Sequence, residues 1–124
     1  MRFMMMVRAV ESSAPPPQAL ADAVEQNMQE AVSKGTMVMA GGLALMAQTH
    51  RVRLAGGKVS VLDGPFAETK EVVGGFAIMD FPSLQEALQA AKDSIELTKK
   101  HWPEWEGETE VRQIYGADDF PPQR

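Results

Sequence analysis

Twice in this chain a short, largely apolar run leads into a segment of helical periodicity, and each such segment leads into another strand-like run. The first pass is Phe3 to Val7, then Gln18 to Lys34, then Thr36 to Ala40. The second is Gly75 to Phe81, then Ser83 to about Lys100, then Glu108 to Tyr115. Runs without polar alternation suit strands covered on both faces. Leu20, Val24, Met28, Ala31 and Val32 recur at helical spacing in the first helix, and Leu84, Leu88, Ala91 and Ile95 in the second, so each is expected to bury that stripe. Pro15-Pro16-Pro17 can lead into a first helical turn, and Gly35 fits a helix stop. Ser83-Leu84-Gln85-Glu86 has the form of a capping box, and Pro103 ends what it starts.

Between the two units the period changes to two. His50, Val52 and Leu54 point one way, and Thr49, Arg51 and Arg53 the other; Gly56-Gly57 signals a hairpin, and Lys58 to Leu62 returns with Val59 and Val61 on one face. The order β-α-β, hairpin, β-α-β is an α+β, ferredoxin-like split βαβ with an inserted β-hairpin. In that topology Phe3 to Val7 and Gly75 to Phe81 lie side by side at the centre. Right-handed crossovers put both helices on one face of the sheet. The other face needs a cover, and a second copy is the commonest one, so a homodimer is expected. Residues 1–115 are read as one domain and 116–124 as an acidic, proline-rich C-terminal tail.

Composition serves to exclude. At 124 residues the length suits one domain, and a net charge of −5 argues against a direct nucleic-acid partner. There is no cysteine, hence no disulfide framework and no thiolate chemistry, which permits a cytoplasmic setting. No apolar run approaches the roughly 20 residues of a membrane span, so no membrane partner is expected. Met1 to Val7 is basic then apolar, but it is too short for a leader and lacks a clear cleavage site; it is read as a strand.

The polar stretch Asp63 to Phe76 carries most of the candidate chemistry. Asp63-Gly64-Pro65 is a strong turn signal, and Gly74-Gly75 allows a bulge or a close approach by something bulky. Asp63 is a candidate acid or base, and equally a turn residue that caps its own loop. Glu68, Lys70 and Glu71 are candidate ligand groups or simply solvated charges, and Phe66 would supply an apolar wall. His50 shares a face with Val52 and Leu54, so it lines a pocket or sits satisfied in a core. Arg53 and Arg112, on strands, could hold an anionic ligand or pair with the many glutamates. His101 fits a helix end beside Trp102. The two histidines do not have metal-ligand spacing, and no phosphate loop, nucleophile elbow or nucleotide fingerprint occurs, so neither metal nor cofactor is expected.

Asp63 to Phe76 resembles the signature of the DGPF-type proteins, a branch of the YCII-related domains. The resemblance extends to Met1-Arg2-Phe3-Met4-Met5, to Gly41-Gly42-Leu43, and to Glu110 through Tyr115 followed by Ala117-Asp118-Asp119-Phe120. It implies an α+β fold of the dimeric α+β barrel kind. Other YCII-related proteins carry a His on the first helix and an Asp near the end of the second as their proposed active site. Here the first helix holds no His, and Asp93 on the second has no counterpart. The resemblance also implies an association with sigma factors of the extracytoplasmic-function class, beside whose genes many DGPF-type genes lie. Two functional readings follow. One is a homodimeric, small-ligand-binding or regulatory accessory protein. The other is a small cofactor-independent enzyme using Asp63 as acid or base at a dimer interface.

Overall fold

The computed structural model describes residues 1–12, 14–66 and 71–117. Among the described residues, six strands and two α-helices run in the order β1 (Arg2–Val10), α1 (Gln18–Ser33), β2 (Met37–Gly42), β3 (His50–Ala55), β4 (Lys58–Asp63), β5 (Glu71–Asp80), α2 (Leu84–His101) and β6 (Gly107–Ile114). A 3-10 turn, Met46–Gln48, precedes β3. The main sheet is antiparallel in the order β2-β5-β1-β6, and β3 pairs with β4 in a separate two-stranded ribbon. The runs expected at the centre, on β1 and β5, are the central strands. Each is longer than its apolar run: polar Arg2 and Arg8 extend β1, and β5 starts back at Glu71.

The register assigns faces. Phe3 lies opposite Met79 and Gln113, and Met5 opposite Ala77 and Val111. This face packs on α2, where Ala87 is 0% and Ala91 7% exposed against Phe3 at 1% and Met5 at 6%. Met4 with Ile78, and Met6 with Phe76, occupy the opposite face, as alternation demands. Gly74 has no partner on β1, since Val7 pairs with Gly75 and Arg8 with Val73; the glycine pair does mark a bulge. Across β2, Gly42 faces Gly75 and Gly41 faces Phe76, whose ring lies 3.2 Å from where a Cβ on Gly41 would stand.

Both helix faces require correction. On α2 the buried line is Ala87 and Ala91, while Leu84 and Leu88 are 49% and 47% exposed. The alanines let the helix axis approach the sheet closely over Phe3 and Met5, which turns the bulkier leucines outward. On α1 only Leu20 is buried; Val24, Met28 and Val32 stay exposed. The helix stands off the sheet, and the space beneath it is a cavity described below.

The helix ends follow local rules. After α1, Thr36 N–H bonds the Ala31 carbonyl and Gly35 N–H that of Val32, with Gly35 at φ 75°: a Schellman motif that needs its glycine. At α2 the Ser83 hydroxyl oxygen accepts from the Glu86 N–H at 3.2 Å and donates to the Glu86 carboxylate, also at 3.2 Å. Lys99, Lys100 and His101 occupy its last turn, where positive charge is favoured. No helix among the described residues is long and apolar enough to cross a membrane.

Ser83→Ala should lower stability by about 1 kcal/mol in chemical denaturation, because the Glu86 N–H loses its partner. A second expectation concerns the end of the central strand pair, where Arg2 Nε and Nη2 donate to the two Asp80 oxygens at 2.9 and 3.0 Å. These hydrogen bonds hold the Asp80 carboxyl below its ordinary range, against a smaller opposing effect of desolvation. A depressed carboxyl stabilises the fold above its unfolded pKa, and the contribution disappears as pH falls through the folded value. The stability difference between wild type and Asp80→Asn should therefore shrink on acidification, from a small starting value because the pair is exposed. Parallel denaturation curves at neutral and acid pH measure it; a difference independent of pH would show that the ion pair contributes nothing.

Candidate functional site

The ribbon root is built by a turn that tolerates no side chain at its centre. Gly64 follows β4, and its N–H donates to the Thr49 carbonyl at 2.7 Å. A Cβ on Gly64 would run into the Met46 carbonyl oxygen and come within 2.9 Å of the Thr49 carbonyl oxygen. Both obstacles are backbone, so neither can swing aside. Close approach, rather than an unusual dihedral, explains this glycine. The same packing fixes where β4 ends, and so where Asp63 stands.

Asp63 lies directly opposite His50 in the ribbon register, and His50 Nδ1 stands 2.8 Å from Asp63 Oδ1. The two were separate candidates in the sequence, and the hairpin brings them together. A carboxylate on Nδ1 favours the tautomer with the proton on that nitrogen, which leaves Nε2 free to accept one. Both side chains are open to solvent, at 64% and 80% exposed. The ribbon face they share continues into Val52, Val61, Leu54 and Val59, with exposures of 66–73%. Arg53 lies on the opposite face with Ser60 as its partner, and the Arg51 guanidinium sits 3.9 Å from the centre of the Phe66 ring. Phe66 therefore supports a cation–π contact at the root of the ribbon.

The remaining candidates are spread more widely. Glu71 opens β5 opposite Val10. Arg112 is on β6, at the far edge of the main sheet from β2, where its Nε bonds Glu110 Oε2 at 2.6 Å. Glu68 and Lys70 lie outside the described residues, as does the tail from Asp118 onward.

A second location was not anticipated. Between α1, α2 and the helix side of the sheet lies a cavity of about 590 Å³, walled by Met5, Met28, Ala31, Met79, Phe81 and Ala91. Its few polar groups include Asn27 on α1 and Asp93 and Ser94 on α2. The Asp93 carboxylate accepts a hydrogen bond from Gln89 at 2.8 Å. Glu30 and Lys34 on α1 also line it, so the helices bring both neutral and ionisable polar groups to the space. The sequence held a signal for this site. Beyond Leu20 and Met28 the α1 stripe offers only Val24, Ala31 and Val32, short side chains that leave the space beneath the helix open.

Among proteins of known sequence, an uncharacterized protein of Rhizobium meliloti (strain 1021) is 52% identical over 42 residues, which span 34% of this chain and 34% of that one. The match thus covers about a third of that relative's length. Among solved structures, 5-chloro-2-hydroxyhydroquinone dehydrochlorinase of Burkholderia phenoliruptrix AC1100, in complex with 2,5-dihydroxybenzoquinone, aligns over 95% of this chain and 97% of its own. It does so at 14% identity and a TM-score of 0.42, too slight a likeness to transfer anything between the two. The description of the YCII-related domain matches residues 1–115, from the first strand to just past the last. That span takes in the central strand pair, both helices and the ribbon with its Asp63 turn, and the chain belongs to the YCII-related domain family.

Proposed function

We infer that this protein binds a small, largely apolar molecule in the cavity beneath α1 and works as a homodimeric accessory protein. The carrying observation is the cavity itself. At about 590 Å³ it falls within the range of small-molecule sites, and its mostly apolar wall with a few polar groups is the usual composition of one. Methionine supplies several wall positions, and its flexible thioether adapts to irregular ligands. Dimerisation is supported by the sheet face that carries Met4, Met6, Phe76 and Ile78, since α2 packs on the other side. Two such faces meeting would form the dimeric α+β barrel. The DGPF-type signature supports a regulatory setting alongside a sigma factor of the extracytoplasmic-function class, with the cavity as sensor. A cytoplasmic location and a body of residues 1–115 with a separate acidic tail complete this reading.

The His50–Asp63 pair favours a second reading, that of a cofactor-independent acid–base enzyme. In it His50 Nε2 exchanges the proton and Asp63 positions the ring, so the sequence-based role of Asp63 as the reacting group passes to its neighbour. Glu68, Lys70, Glu71, Arg53 and Arg112 would be ligand contacts. Solvent exposure of the pair requires a partner subunit to exclude water from it.

Ala31→Phe fills the cavity from α1. It should weaken binding of an apolar fluorescent probe such as anilinonaphthalene sulfonate by about tenfold, with the circular dichroism spectrum unchanged. Unchanged probe affinity would remove the cavity from consideration. Sedimentation at micromolar concentration should give the mass of a dimer. Asp63→Asn and His50→Gln should leave probe binding intact under the binding reading. Under the enzymatic reading, both would abolish conversion of whatever small molecule copurifies with the protein, identified by mass spectrometry.

A further inference from the structure

Two glycines on the floor of the cavity have no reason in the fold itself to be glycine. β2 and β5 bring Gly41, Gly42, Gly74 and Gly75 together, and their neighbours explain two of them. A Cβ on Gly41 would meet the Phe76 ring at 3.2 Å, and Gly74 sits at the bulge, where β1 offers it no partner. Gly42 and Gly75, which face each other across the two strands, are different. Neither has a positive φ. A Cβ on Gly42 would meet nothing nearer than the Gly74 carbonyl oxygen at 3.9 Å, and one on Gly75 nothing nearer than the Gly41 carbonyl oxygen at 3.4 Å, both ordinary contacts. Glycine inside a strand weakens it and often marks a place where a ligand comes close to the backbone. Here both glycines line the cavity beneath α1.

The register extends this bare patch. Gly75 lies opposite Val7 and Ala77 opposite Met5, on the face that packs on α2, and their partners on β2 are Gly42 and Ala40. Ala40, Gly42, Gly75 and Ala77 thus form a floor two strands wide and two rows deep, with no side chain longer than a methyl. Strand geometry makes it about 5 by 7 Å between Cα atoms. Met79 bounds it in the next row, and Met28 and Ala31 line the cavity from α1. In place of a Cβ each glycine turns a second Cα–H toward the space, a weakly positive group that suits the negative face of an aromatic ring. Methionine thioethers make favourable contacts with a ring edge. An alkyl chain, one carbon wide, would leave half of such a floor uncovered. Thr109, in the row of Val7 and Gly75, and Ser94 on α2 supply hydroxyls for a polar ring substituent.

We propose that the cavity takes a planar, single-ring aromatic molecule whose face lies on the backbone of Gly42 and Gly75. The proposal rests on the cavity-binding reading above and names the class of ligand. Gly42 is exposed and Gly75 half-buried, so the slot opens at the β2 edge of the sheet. A methyl added at either glycine lifts the ring off the floor, while the chain itself has room for it.

Matched probes and single methyl groups test it. Phenol and cyclohexanol carry the same hydroxyl on a flat and a puckered ring. In NMR titrations the wild type should bind phenol about tenfold more tightly than cyclohexanol. Phenol alone should shift the Gly42 and Gly75 signals upfield, as a ring stacked over them requires. Gly42→Ala and Gly75→Ala should each weaken phenol binding by about tenfold, yet unfold at the same temperature as wild type or higher. Gly74→Ala adds a methyl away from the cavity lining and should bind phenol as wild type does. Equal affinity for the two probes, phenol shifts that miss both glycines, or unchanged phenol binding in either floor variant overturns the aromatic floor. The cavity reading then still stands or falls by Ala31→Phe. Floor variants that unfold at a lower temperature than wild type overturn the proposal as well, since the glycines would then serve the fold.

Discussion

The seating of Ala87 and Ala91 on Phe3 and Met5 is the contact on which the rest of this fold depends. These four residues form the buried core cluster, extended by partly buried Ala77, Met79, Phe81 and Val111. Small side chains on the helix let it approach the sheet, and that approach fixes the rotation of α2. Rotation in turn decides that Leu84 and Leu88 point outward and that Asp93 and Ser94 line the cavity. A pair of leucines in place of the alanines would lift the helix and close much of that space. The core is small for a chain of 124 residues, which makes subunit contacts the natural source of further apolar burial.

The ribbon is held by different means. Its root depends on a backbone hydrogen bond from Gly64 to Thr49, on the exclusion of any side chain at Gly64, and on the stacking of Arg51 over Phe66. A further tie links the neighbouring loop to the end of β1, where the Met46 N–H donates to the Glu11 carboxylate at 2.7 Å. All four contacts lie at one end of the ribbon. The rest projects with its apolar strip uncovered, which accounts for a hairpin whose valines alternate as if buried and yet lie open in the isolated chain.

Fold and site were legible to different degrees for physical reasons. Element order and the central place of β1 and β5 could be read because continuous apolar runs and helical periodicity are local signals. The Ser83 cap, the Gly35 stop and the Gly74 bulge were readable for the same reason, since each depends on a few adjacent residues. Helix orientation was not. Choosing Leu84 and Leu88 over Ala87 for the buried line followed side-chain size, whereas packing selected the face that lets two backbones come close. Of the α1 stripe only Leu20 is buried, because its spacing carries no information about how far the helix stands from the sheet. Pairing of His50 with Asp63 was within reach of the hairpin register, because the Gly56-Gly57 turn places them opposite each other. It was missed because each residue was weighed alone.

Whether the chemistry of this chain is binding or catalysis turns on where proton-exchanging groups stand relative to enclosed space. The cavity takes Asn27, Glu30 and Lys34 from α1 and Asp93, hydrogen-bonded by Gln89, from α2, with no imidazole among its lining residues. The ribbon has an imidazole and a carboxylate at 2.8 Å but no enclosure in one copy. An acid–base pair in open water gains little over the solvent, because the field that shifts its proton affinity is screened. In the single chain the concave space and the close imidazole–carboxylate pair stand in different places, which favours the binding reading. Only a partner subunit lying across the His50–Asp63 edge of the ribbon would bring them together, so the quaternary contact also decides which chemistry the chain can perform.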